Sequence, residues 1–263
     1  MRILSIMVML ALLTLSGCEP ERSTRCDSLP PLVIWSWTSD DRLQFLNSTK
    51  TAVAYYAGTI MLGRSNATLL RRRNALVLNA STLSFPVFRM EQAHVTEPVS
   101  AASFDQALLI IKDYVEEKHA RFVQIDFDAR ENDRAAYLIF LKNLRARLPA
   151  NVGISITALA SWCLDDKWLN HAPIDESVAM MFSMGPGKND AFSAMRNQRI
   201  DSGAASAQSV GVSINEVETN SLLHKAGYLQ KEDRLRCGPR IYAFSSLGWN
   251  AERYQNLLKE VEK

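Results

Sequence analysis

The clearest pattern in the chain lies at residues 121–129, where Val123, Ile125 and Phe127 alternate with Gln124, Asp126 and Asp128. A period of two sends these sets to opposite faces of a strand. The apolar set can pack on helices, and the polar set then points into whatever the sheet encloses. The alternation recurs along the chain. Residues 32–37 predict a first strand, 52–62 a second, and 85–91 a third in which Val87, Arg89 and Glu91 share a face. Residues 152–160 predict another, with Ile154 and Ile156 against Ser155 and Thr157, and 178–184, 209–216 and 240–246 complete the set. Helical stripes fall between them. Ser103 and Gln106 have capping-box spacing ahead of Leu108, Ile111 and Val115. Tyr137, Phe140, Leu141, Leu144 and Leu148 trace an apolar face that Pro149 ends, and Asn250 caps a last helix carrying Tyr254, Leu257, Leu258 and Val261. Residues 63–84 are less regular. There Leu69-Leu70 and residues 75–78 flank Arg71-Arg72-Arg73 and are expected to pair as a hairpin, with the arginines in a solvated turn.

About eight strands separated by helices predict an α/β fold, a (β/α)8 TIM barrel. The first residues stand apart. Arg2 precedes an apolar run over residues 3–15, too short to span comfortably, and Leu15-Ser16-Gly17-Cys18 resembles a bacterial lipobox. That resemblance implies a lipoprotein signal peptide at 1–17, lipidation of Cys18 as the new N-terminus, and an envelope protein facing the periplasm on a membrane anchor. Residues 18–30 then read as a tether and 31–263 as one barrel domain. The mature chain of 263 − 17 = 246 residues matches a single barrel in length. With 47% hydrophobic residues it can fill a core, and its formal charge of +2 gives no footprint for nucleic acid. Nothing in the pattern sets an oligomeric state.

Several segments together resemble the bacterial lipoprotein family of the domain of unknown function 3142. They are residues 123–129, the helix end at 144–149, residues 155–163, and residues 210–216. The resemblance implies a TIM barrel of glycoside-hydrolase-like type and brings no established reaction. The central strand is also distantly similar to the Asp-x-Asp-x-Glu strand of family 18 chitinases. Asp126 and Asp128 fit its two aspartates, while Arg130 stands where that family has its catalytic glutamate. This departure argues against a chitinase-type mechanism.

In such a barrel the C-terminal strand ends build the site, and here they would gather Arg89, Glu91, Asp126, Asp128, residues 161–163 and Glu216. Two carboxylates on one inward face repel each other and need cations, a ligand or water. Glycoside hydrolysis uses one protonated acid and one ionised carboxylate. Asp128 is the expected acid/base, Asp126 its positioner or a partner of Arg89, and Glu216 the second carboxylate, with Arg89 and Glu91 on the substrate side. Trp37 and Trp162, beside Trp35 and Trp249, offer flat faces to a sugar of a polysaccharide. A barrel that binds polysaccharide or an envelope protein without turnover stays open, as does an Asp126–Arg89 pair that only sets register. His94, His119, His171 and His224 lack ligand spacing, so no metal is expected, and no cofactor motif is present. Cys26 and Cys237 precede the first and last strands, neighbours in a closed barrel, and are expected to form a disulfide that stabilises by roughly 4–5 kcal/mol at most.

Overall fold

The computed structural model describes residues 25, 29–37, 40–93, 97–164, 168–169, 172–184, 209–216 and 240–262. Residues 1–17, expected as a signal peptide, lie outside the described residues, as do Cys18, Cys26 and Cys237 with their expected lipidation and disulfide. Along the chain the strands are β1 (Leu32–Ser36), β2 (Asp41–Arg42), β3 (Thr51–Leu62), β4 (Ala67–Arg71), β5 (Leu76–Val77), β6 (Ser84–Gln92), β7 (Phe122–Asp126), β8 (Gly153–Leu159), β9 (Glu176–Met180), β10 (Ser209–Ser213) and β11 (Ile241–Phe244). Eight of them, β1, β3 and β6 to β11, pair in parallel, and β1 closes the ring by bonding both β11 and β3. The expected eight-stranded barrel is what forms. The helices are α1 (Ala101–Lys118), α2 (Arg134–Arg147), α3 (Ala160–Leu164) and α4 (Ala251–Val261).

The period of two sorts the side chains as expected. Val123, Ile125 and Phe127 pack outward with Phe104, Ile111, Tyr137, Phe140 and Leu144 of α1 and α2. Val33, Trp35, Phe85, Val87, Phe122, Val178 and Tyr242 fill the interior. In the N-terminal half of the barrel Glu176 is fully buried. It accepts bonds from the Arg240 guanidinium (3.0 Å), the Tyr242 hydroxyl (2.6 Å) and the Ser209 hydroxyl (2.5 Å). A charge taken out of water this far needs all of them. On the same end, Arg25 bonds Asp175 at 2.8 Å, so the start of the domain is fixed at the rim opposite the mouth.

Three local expectations are corrected. The capping residue of α1 is Ser100, whose side chain accepts from the Ser103 amide at 3.1 Å. Ser103 and Gln106 serve the β3–β4 turn instead: Ser103 donates to the Asn66 carbonyl (2.8 Å) and Gln106 accepts from the Ala67 amide (3.0 Å). The segments flanking the arginines do not pair with each other. β3 runs 12 residues, past the barrel, and takes β4 as an antiparallel neighbour, while β5 pairs in parallel with β2. Nor is Arg72 solvated. Its side chain, only 9% exposed, donates to the carbonyls of Ser36 (3.1 Å) and Trp37 (2.6 Å) and faces Asp41 at 3.7 Å, latching the end of β1.

Candidate functional site

The C-terminal ends of the strands surround a cavity of about 170 Å³ lined by Trp35, Trp37, Arg89, Asp126, Asp128, Thr157, Met180, Phe182 and Phe244. Strand order divides this lining into two arcs. β6, β7 and β8 supply Arg89, the two aspartates and Thr157; β9, β11 and β1 supply Met180, Phe182, Phe244 and the tryptophans. Four places separate β7 from β11 around the closed ring of eight, so the carboxylates stand opposite Phe244. A flat ligand entering here meets an apolar face on one side and acceptors on the other.

The floor is Trp35. Its indole nitrogen donates to Gln124 at 2.8 Å, Gln124 donates on to Ser155 at 3.0 Å, and the Trp249 indole nitrogen donates to the Trp35 carbonyl at 2.8 Å. Gln124 is the buried member of the polar face that ends in Asp126 and Asp128, so the strand that carries the acids also orients the floor. Gly211 makes room for it: a Cβ there would lie 2.6 Å from the indole. The aromatic wall is ordered as well, with Phe182 stacked on Phe244 (ring centroids 5.6 Å apart) and Trp37 against Tyr56 (5.3 Å).

On the polar arc, Arg89 is the register partner of Asp126 and bonds Glu91 at 2.6 Å. Thr157 donates to Asp126 at 2.6 Å. Burial pushes the Asp126 carboxyl up to about 6; the Thr157 bond and the Arg89 charge oppose this, and the charges of Asp128 and Glu91 add to it. Asp128, two residues on and more exposed, is also raised by burial, with Arg89 opposing. Behind them Tyr137 of α2 is fully buried, and burial with the two nearby carboxylates raises its hydroxyl too. Two titratable acids of unlike exposure, side by side in an open cavity, can hold a proton, accept hydrogen bonds from a ligand, or bind a cation.

Of the residues expected at the site, Asp126, Asp128, Arg89 and Trp37 come together at this mouth. Glu91 sits at its edge through its bond to Arg89. Glu216 accepts from the Ser183 amide at 2.8 Å and does not line the cavity, because β10 ends at Ser213 and the chain turns there. Trp162 is 3% exposed and packs edge-on against Trp168 at 5.0 Å, in the layer between barrel and helices. Arg130 also turns away, to Asp133 (2.7 Å) and the Glu97 carbonyl (2.7 Å). Thr157, Met180, Phe182 and Phe244 belong to the lining without having been singled out as site residues. Each continues the inward set of its strand, and that continuation is the signal that finds them. Among the described residues no cluster of His, Cys, Asp and Glu could hold a metal ion.

Residues 88–211 match the model of a domain of unknown function, DUF3142. The match covers a little under half of the chain. The matched stretch spans β6 to β10 and so holds the polar arc, with part of the aromatic one. No curated protein matches the chain by sequence. Solved structures do match it in fold. A Streptomyces coelicolor protein described as a chitinase A superposes with a TM-score of 0.60 at 10% identity, over 88% of this chain and 97% of that one. A fungal endo-β-N-acetylglucosaminidase of glycosyl hydrolase family 18 gives 0.56 at 13%, over 89% and 97%. A family 18 chitinase from Chromobacterium violaceum gives 0.55 at 9%, over 91% and 85%. The chain therefore shares the (β/α)8 barrel fold of these proteins.

Proposed function

We propose that this DUF3142 barrel recognises a glycan at its C-terminal mouth and hydrolyses a glycosidic bond there. The observation that carries the reading is the pairing of Asp126 and Asp128 opposite an aromatic wall in an open cavity. Aromatic faces take the C–H face of a pyranose, and carboxylates take its hydroxyls. The pair holds one proton, which passes to the leaving oxygen as the glycosidic bond breaks; the ionised partner stabilises the positive charge at the anomeric carbon, and the attacking water returns a proton to the pair. The cavity is smaller than the roughly 300–1,000 Å³ of pockets that engulf a drug-sized ligand, which suits one sugar ring at a time. The lipobox-like start supports work at the cell envelope, on a polysaccharide reached from a lipid anchor at Cys18.

A second reading, binding without turnover, is favoured by the positions of Arg130 and Glu216, both of which turn to other partners. One experiment separates the two. The domain without residues 1–17 is assayed for binding and reducing-end release on a panel of envelope glycans, beside Asp128→Asn and Glu216→Gln. Release by the native domain that is lost in Asp128→Asn, with binding kept, establishes the hydrolase. Binding with no release in any form establishes the second reading, and silence in both assays defeats both. Full-length chain that leaves the membrane fraction when Cys18→Ser is introduced supports the anchor; unchanged fractionation sinks it.

A further inference from the structure

Among the described residues the mouth has a charge imbalance that a neutral sugar would leave unanswered. Asp126, Asp128 and Glu91 bring three carboxyl groups to the polar arc, and Arg89 is, among the described residues, the one guanidinium lining the cavity. Arg89 bonds Glu91 at 2.6 Å, so one positive charge serves Glu91 as well as the two aspartates. Asp128 has no hydrogen-bond partner among the described residues, and Asp126 has only the neutral Thr157 hydroxyl. Across the cavity stand the faces and edges of Trp37, Phe182 and Phe244, each only partly exposed, above the Trp35 floor. Carboxylates on one side and aromatic rings on the other recognise an ammonium group. The anions pair with its charge, and the ring quadrupoles attract it from the other side.

We infer that the mouth selects a glycan bearing free amino groups, a polymer or oligomer of protonated amino sugars, over its N-acetylated or neutral counterpart. The inference rests on the glycan reading of the same site and adds the substrate class to it. An acetamido group in the same place would bring no charge to the two carboxylates, leave them to share Arg89 with Glu91, and present a methyl group to Asp128. The aromatic wall would still take the sugar's C–H face and the carboxylates its hydroxyls, so a neutral sugar lacks the charge pairing and not the fit. The pH dependence follows from the groups around Asp126: Arg89 and Glu91 on β6, Asp128 just past the end of β7, Thr157 on β8 and Tyr137 on α2. A bound ammonium favours the ionised form of the raised carboxyls. Binding of the amine therefore strengthens as pH rises through about 6 and weakens again when the sugar amine loses its proton.

The test is calorimetric titration of the domain with glucosamine oligosaccharides and with their fully N-acetylated counterparts of equal length, at about pH 6.5 in low and high salt. A preference for the amine of about tenfold or more, falling with salt, is the expected result. Asp126→Asn and Asp128→Asn are expected to lose that preference, read as the ratio of the two affinities in each variant, with unfolding curves confirming that both variants fold. Equal or tighter binding of the N-acetylated chain overturns the inference and leaves the glycan reading standing. A preference that survives in both variants also overturns it, because the selectivity then comes from elsewhere. No binding of either oligosaccharide overturns the inference and the glycan reading together.

Discussion

Asp126 is a carboxyl group that the fold favours in its protonated form. Its ordinary value is 3.8 and burial pushes it up to about 6. The sign of the consequence is set by which state keeps the proton. Between about pH 4 and pH 6 the native protein still holds a proton that the unfolded chain has released, so stability falls as pH rises through that window and is level above it. The full shift corresponds to about 3 kcal/mol, and water at the open mouth reduces it. An amide at this position avoids the ionisation and still accepts the Thr157 bond. Asp126→Asn is therefore expected to be more stable than the native protein by about 1–3 kcal/mol above pH 7. At about pH 4.5 the difference should shrink to about 1 kcal/mol or less. Urea unfolding at the two pH values checks it, and equal stability differences at both would count against a raised Asp126. A site residue whose removal stabilises the fold is what a functional carboxylate buried for its chemistry should be.

At the scale of elements, the strand that carries the acids cannot be separated from the strand across the barrel that leaves room for the floor. On β10, Gly211 faces inward where a Cβ would meet the Trp35 ring at 2.6 Å and 3.0 Å. Trp35 is held from the other side by Gln124 and by ring contacts with Tyr242 and Phe182 (centroids 5.1 and 6.0 Å). Gly211→Ala should therefore push the indole toward the mouth and strain its bond to Gln124. A loss of about 1–3 kcal/mol of stability is expected, together with weaker ligand binding. Tryptophan fluorescence and the midpoint of thermal unfolding read both, and an unchanged midpoint with unchanged binding would show that the floor gives way freely. This coupling is where reading by pattern stops. Alternation in residues 121–129 was enough to assign Asp126 and Asp128 to the interior, because a period of two is a local property of one strand. The same reading extended β9 to 184 and β10 to 216, whereas the ladders end at Met180 and Ser213. Where a strand stops depends on whether its neighbour still offers bonding partners, which no single segment encodes. Phe182 and Glu216 sit just past those ends, and one faces the cavity while the other does not. Ser103 and Gln106 fit a capping box by spacing, yet the turn at Asn66 and Ala67 offered them better partners.

For the whole molecule the decisive event is closure. β1 and β11 are paired across the seam, Leu32 with Ile241 and Ile34 with Ala243, and the chain between them is almost the entire domain. α4 covers that seam. Tyr254 and Leu257 pack with Leu32, Ile34 and Val53, and the Tyr254 hydroxyl meets the Thr51 hydroxyl at 2.9 Å and accepts from the Asn47 amide at 3.1 Å. Contacts between residues so far apart in sequence carry the largest loop-closure entropy, so they form after the local strand–helix units have assembled. Interactions made late stabilise the native state without stabilising the folding transition state. Tyr254→Phe keeps the ring and removes the hydroxyl, leaving the Asn47 amide short of its partner. It is expected to lower stability by about 1–2 kcal/mol. Nearly all of that loss should appear as faster unfolding, with the refolding rate changed by less than about twofold. Stopped-flow unfolding and refolding in urea resolve the two limbs. Refolding slowed in proportion to the stability loss would place the seam in the folding nucleus, and the barrel would then close early, with the mouth and its two aspartates assembled around a ring already shut.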